Sequence, residues 1–60
     1  MLYRVILDYE GHPGPSFANE EVHALDADAA VVKLKDQITT EYEQRGLPAP
    51  VFGNYKATEE

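Results

Sequence analysis

Apolar and polar residues alternate along residues 2–9, and this two-residue period predicts a β-strand. The odd-numbered positions are more uniformly apolar than the even-numbered ones, so we expect the odd positions to face the core. These core-facing positions are Tyr3, Val5, Leu7 and Tyr9.

Two further segments also predict strands, residues 20–25 and residues 51–58. Between the first two strands, residues 11–19 contain two glycines and two prolines, which predicts a loop and allows the second strand to begin as early as Phe17. Gly53 weakens the third strand or marks a bulge or a close backbone contact.

Residues 27–45 have the three- and four-residue apolar spacing of an amphipathic helix. Asp26 precedes this segment as a good N-cap, and Gly46 followed by Pro48 predicts its end. The predicted buried stripe is Ala27, Val31, Leu34, Ile38 and Tyr42 or Glu41, and Ala30 widens it.

The predicted fold is therefore a small α+β domain of β-β-α-β order that spans residues 1–60. The first two strands form an antiparallel hairpin, and the helix packs on one sheet face. A right-handed crossover then places the third strand beside the first, which makes an antiparallel sheet of order 2-1-3. The order 1-2-3, with strands 2 and 3 parallel, is the alternative.

One helix covers one face of three strands, so the other face is expected to stay open. An apolar surface rimmed by charge is typical of a partner-binding site, and a strand register shifted by one residue would expose the opposite set. The predicted open face carries Leu2, Arg4, Ile6, Asp8, His23, Leu25, Phe52, Asn54 and Lys56. The residues expected to bind a partner are Arg4, Ile6, His23, Leu25, Phe52 and Lys56 on this face, with the acidic Glu10, Glu20 and Glu21 beside it.

Composition narrows the functional classes. Eleven acidic residues against five basic ones give a net charge of −6, which argues against direct nucleic-acid binding. No segment approaches the ~20 apolar residues of a membrane span. The absence of cysteine excludes disulfides and thiol chemistry and favours a cytoplasmic protein. Sixty residues leave few to line a substrate cleft, so we do not expect an enzyme.

The candidate chemistry is sparse. Ser16 lies in the predicted loop over residues 11–19 without a nucleophile-elbow sequence around it. The glycines of this loop do not have the sequence context of a phosphate-binding loop. His12 and His23 flank the predicted hairpin near several acids, but their spacing matches no zinc signature. We therefore expect no catalytic residue, cofactor or metal. Asp8, Glu10, Glu20 and Glu21 would form an acidic hairpin end that aids solubility or steers the chain toward a basic partner.

The β-β-α-β layout of residues 2–58 resembles the T7-type phage inhibitors of bacterial RNA polymerase, which are also small and acidic. The segment 22–30 adds the motif of a Val-x-Ala strand end, an acidic cap and an alanine-rich helix. The third strand in that family ends in a basic pair used for binding, whereas this chain has only Lys56 in that region. The resemblance implies a phage or prophage protein that binds a host protein, such as the transcription machinery, in the host cytoplasm.

The predicted function is accordingly a non-enzymatic protein–protein interaction module that docks through its open sheet face. One alternative is a homodimer or larger oligomer formed through the same face, with a ligand held at the interface. Another is an acidic mimic of nucleic acid, which lysines Lys33 and Lys35 on the helix make less favourable.

Overall fold

A computed structural model describes all residues, 1–60. The chain forms the elements β1 (Leu2–Glu10), β2 (Pro15–His23), α1 (Ala27–Gln44) and β3 (Val51–Glu59). The strands form one antiparallel sheet of order β2-β1-β3. The predicted α+β fold and its 2-1-3 strand order are confirmed.

The β1–β2 hairpin is longer than the sequence predicts. It has an unbroken register from Leu2 opposite His23 to Glu10 opposite Pro15, and only residues 11–14 connect the strands. The predicted loop over residues 11–19 is therefore wrong in its second half. A proline is tolerated as the first residue of a strand at a sheet edge, which is the position of Pro15.

Helix α1 begins and ends as its capping residues predict. The Asp26 carboxylate accepts a hydrogen bond from the backbone N–H of Ala29 at 2.8 Å. At the other end Gly46 has φ +73°, and the N–H of Leu47 reaches the carbonyl of Tyr42 at 2.9 Å. This is a Schellman motif, and it places Leu47 against the core.

The core lies between α1 and the odd-numbered side of β1. Val5 and Leu7 are fully buried in the central strand, and the predicted helical stripe packs over them. Ala27 lies only partly buried at the edge of that stripe. The hydrophobic core consists of nine buried residues: Tyr3, Val5, Leu7, Val22, Ala30, Val31, Leu34, Ile38 and Tyr42.

A β-bulge interrupts β3. Leu7 lies opposite Tyr55 and Tyr9 lies opposite Phe52, so β3 has one more residue than β1 across this interval. The bulge lies at Gly53, where the sequence indicates one. It also reverses the side-chain alternation, which places Phe52 and Lys56 on opposite faces of the sheet.

Helix α1 has charged residues on its outer surface, and no helix in the structure has the length and apolar character needed to cross a membrane.

Candidate functional site

The sheet face opposite α1, hereafter the open face, has no element of the chain packed over it. It carries the even-numbered residues of β1 and the residues opposite them in the neighbouring strands. Several of its side chains are apolar and exposed to solvent: Ile6 is 39% exposed, Phe17 66% and Val51 74%. An exposed apolar surface of this kind is typical of an interaction site.

Six of the residues predicted to bind a partner lie on the open face: Arg4, Ile6, Glu10, Glu21, His23 and Lys56. Ile6 lies in β1 opposite Lys56 of β3. Arg4 lies two residues before Ile6 in β1, opposite Glu21 of β2. His23, at the end of β2, lies opposite Leu2 and is exposed. The sequence therefore predicts the correct face for Arg4, Ile6, Glu21, His23 and Lys56.

Phe52 and Leu25 do not belong to the open face, and their predicted placement is wrong. The ring of Phe52 lies on the α1 side, 6.2 Å from the ring of Tyr9, and the ammonium of Lys35 lies 5.5 Å from its centre. The β3 bulge causes this reversal. Leu25 follows the end of β2 and is 90% exposed in the bend before α1, because β2 ends earlier than predicted.

The predicted acidic hairpin end is also wrong. Glu10 lies opposite Pro15 beside the turn, whereas Glu20 lies five residues further along β2, roughly 16 Å away. Glu20 and Glu21 point to opposite faces of the sheet, since they are neighbours in one strand. The longer β2 therefore separates carboxylates that a hairpin with a nine-residue loop would have gathered.

Arg4 organises the β2 side of the open face. Its guanidinium donates to the side-chain carbonyl of Asn19 at 3.1 Å and forms ion pairs with Glu21 at 3.3 Å and Glu60 at 3.7 Å. The Arg4 cation is therefore paired with two carboxylates of the chain itself. These ion pairs link β2 and the C-terminal end to the central strand β1. An exposed network of this kind contributes modestly to stability.

The end of the open face nearest the turn over residues 11–14, hereafter its turn-side end, forms a trough of about 520 Å³. Pro15 and Phe17 of β2 and Val51 of β3 are its apolar walls, and β1 is its floor. Asp8 and Glu10 lie on that floor. Both salt bridges of the chain involve Arg4, so neither of these carboxylates is paired with a cation.

Sequence reasoning missed Phe17 and Val51 as members of the open face. A signal for Phe17 was present, because residues 17, 21 and 23 share one face if the second strand begins at Phe17. Val51 could be assigned only with knowledge of the bulge, because uninterrupted alternation places it on the covered face.

The histidines and the serine form no catalytic or metal-binding group. His12 is in the connection over residues 11–14, and His23 is at the far end of the nine-residue β2. No three histidine or acidic side chains of the chain are grouped so as to hold a metal ion. Ser16 lies opposite Tyr9 and is exposed.

Tyr3 is buried at one end of the core. Burial raises the pKa of its hydroxyl, and the carboxylates of Glu59 and Asp26 raise it further because they disfavour a phenolate. The shift reflects the position of Tyr3 at the end of the core and indicates no role at the open face.

Comparison with known proteins adds no further information on the fold or the site. No family model matches the chain, and no curated protein or solved structure matches it either.

Proposed function

We propose that this chain is a non-enzymatic protein-binding module whose open face docks on a partner protein that carries basic and apolar residues. The observation that carries the proposal is the exposure of Phe17, Ile6 and Val51 on a sheet face that no element covers. An apolar face with charged residues around it favours a protein surface as the ligand.

Charge supports a basic partner. The chain has a net charge of −6, and the carboxylates of Asp8 and Glu10 on the open face form no salt bridge. A positive surface would therefore be steered toward this face and would find unpaired acids there. A host protein that binds nucleic acid, such as the transcription machinery, is a candidate of this kind and would place the module in the cytoplasm.

A second copy of the chain fits the same face less well. Association of two copies would bring together two chains that each carry a charge of −6, whereas a basic partner has no such repulsion to overcome.

The test uses immobilised protein to capture partners from a bacterial lysate, with variants matched for charge. Phe17→Asp places a carboxylate on the open face, and Val32→Asp places the same charge on the outer surface of α1, where Val32 is also an exposed apolar residue. The proposal predicts a stoichiometric partner that binds the wild type and V32D and does not bind F17D.

Circular dichroism and thermal melting must show that both variants fold. A partner retained equally by F17D would refute docking through the open face. Sedimentation at micromolar concentration tests the homodimer separately, since a concentration-dependent dimer that F17D abolishes would replace the proposal with self-association.

A further inference from the structure

We propose that the trough at the turn-side end of the open face binds an arginine side chain of the partner protein. The inference rests on the proposed function and names the side chain that this part of the surface recognises. The apolar stem of the arginine would lie between Phe17 and Val51, and its guanidinium would meet Asp8 and Glu10.

The walls and the floor of the trough differ in chemistry. The walls are apolar, because Pro15 and Phe17 lie on one side and Val51 on the other. The floor carries the carboxylates Asp8 and Glu10. A purely apolar side chain would leave the carboxylates desolvated and unpaired, whereas a small cation would leave the walls exposed. Arginine and lysine combine an apolar stem with a charged end and so match both parts.

The spacing of the carboxylates favours arginine over lysine. Asp8 and Glu10 are two residues apart in β1, so they lie on one face about 7 Å apart along the strand. A planar guanidinium has five N–H donors and can contact two carboxylates at once, and it also stacks on an aromatic ring such as that of Phe17. An ammonium is a compact charge with a shorter reach.

No cation of the chain itself fills this position. Arg4 is held by Glu21 and Glu60, and the ammonium of Lys35 lies on the α1 side between the rings of Phe52 and Tyr55. Lys56 lines the open face near Asp8 but forms no salt bridge with it. The two unpaired carboxylates are therefore left for an external cation. The net charge of −6 makes a basic segment of another protein a better source of it than a second copy.

Gly53 keeps the floor accessible. A Cβ atom built at this position would lie 3.6 Å from the carbonyl oxygen of Asp8 and 3.8 Å from its Cβ atom, which are ordinary contact distances. A methyl group at position 53 would therefore lie beside Asp8 without displacing the backbone. We expect Gly53→Ala to narrow the trough while the fold is retained.

The experiment is an NMR titration of the ¹⁵N-labelled chain with Nα-acetyl-arginine amide, and in parallel with the citrulline analogue. Citrulline has nearly the same shape as arginine and no charge, so it isolates the contribution of the guanidinium. We expect amide shifts concentrated at residues 8–10, 15–17 and 51–53, with a dissociation constant on the order of millimolar for a single side chain. Citrulline should bind at least about tenfold more weakly.

Matched variants separate the trough from general charge attraction. The pair Asp8→Asn with Glu10→Gln should weaken arginine binding by about tenfold or more. The pair Asp36→Asn with Glu43→Gln removes the same charge from the exposed surface of α1 and should change the affinity less than about twofold.

Three results would overturn the inference: equal binding of citrulline, equal weakening by both variant pairs, or shifts spread over all acidic residues. None of these results would affect the proposed function if F17D still loses the captured partner while V32D retains it. Conversely, arginine binding in the trough with no partner lost in F17D would contradict the proposed function alone.

Discussion

Alanine substitutions at the two phenylalanines of the chain should have different effects on stability, because the bulge places them on opposite faces of the sheet. Phe52 packs on the α1 side against Tyr9 and lies under the ammonium of Lys35. Phe17 lies on the open face and is 66% exposed. Because both residues are in edge strands, the change in β-strand propensity is similar in the two variants, and the difference reports packing.

The magnitude for Phe52→Ala follows from its contacts. A fully buried phenylalanine costs about 3–5 kcal/mol when truncated to alanine, and Phe52 is only partly buried, so about half of that is expected. The aromatic contact with Tyr9 and the cation–π contact with Lys35 contribute roughly 1 kcal/mol of this loss. We therefore expect F52A to lower the free energy of unfolding by about 2 kcal/mol, and F17A by about 0.5 kcal/mol.

Urea denaturation followed by circular dichroism measures both values, and thermal melting provides a second measure. For a domain of this size 1 kcal/mol corresponds to about 4–8 °C, so F52A should melt roughly 8–16 °C below the wild type. Equal losses at the two positions, or a larger loss for F17A, would show that Phe52 is not on the covered face and that the bulge is misplaced.

Three further predictions concern stability. Gly46→Ala should lower the free energy of unfolding by about 1–2 kcal/mol in urea denaturation, because φ is +73° at this position. Gly53→Ala adds a Cβ atom that meets only ordinary contacts, so its free energy of unfolding should lie within about 0.5 kcal/mol of the wild type. Equal effects at the two positions would contradict the helix-end geometry. Leu7 is fully buried at the centre of β1, so Leu7→Ala should lower the free energy of unfolding by about 2–5 kcal/mol, measured by thermal melting. The same change at the exposed Leu25 should lower it by less than about 0.5 kcal/mol. A marginal loss of stability at Leu7 would contradict the assigned core. Because the pKa of Tyr3 is raised in the fold, the unfolded chain ionises first, so stability present at neutral pH should decline above about pH 10. Tyr3→Phe should reduce this decline in denaturation at pH 9–11, and an unchanged pH dependence would refute the assignment.

The helix was the most predictable element because its signals are local. Asp26 and Gly46 mark its ends through contacts with atoms only a few residues away, and the apolar stripe between them has a single interpretation. The order of the strands was also predictable, since a right-handed crossover leaves few arrangements for a β-β-α-β chain.

The start of β2 was less predictable because proline and glycine interrupt strands in most contexts. Here the glycines lie in and beside the turn, and Pro15 begins an edge strand, where its missing N–H costs little. Whether a proline interrupts a strand or begins one depends on the position of the strand in the sheet. That position is a tertiary property, so it could not be derived from residues 11–19 alone.

The composition of the candidate site depended on strand phase, which one residue can reverse. Arg4, Ile6 and Lys56 were assigned correctly because the first strand alternates clearly and Lys56 lies beyond the bulge. Phe52 precedes the bulge, so the same counting placed it on the wrong face. Gly53 signals a bulge in the sequence, but only the pairing with β1 shows that the extra residue lies between Phe52 and Tyr55.

The most direct test of docking through the open face is methyl NMR of the labelled chain during titration with the captured partner. Methyl groups report which face is contacted, since those of Ile6 and Val51 lie on the open face and those of Val32 on the outer surface of α1. We expect the Ile6 and Val51 signals to shift or broaden while the Val32 signals stay unchanged. Perturbation of Val32 without change at Ile6 and Val51 would contradict it.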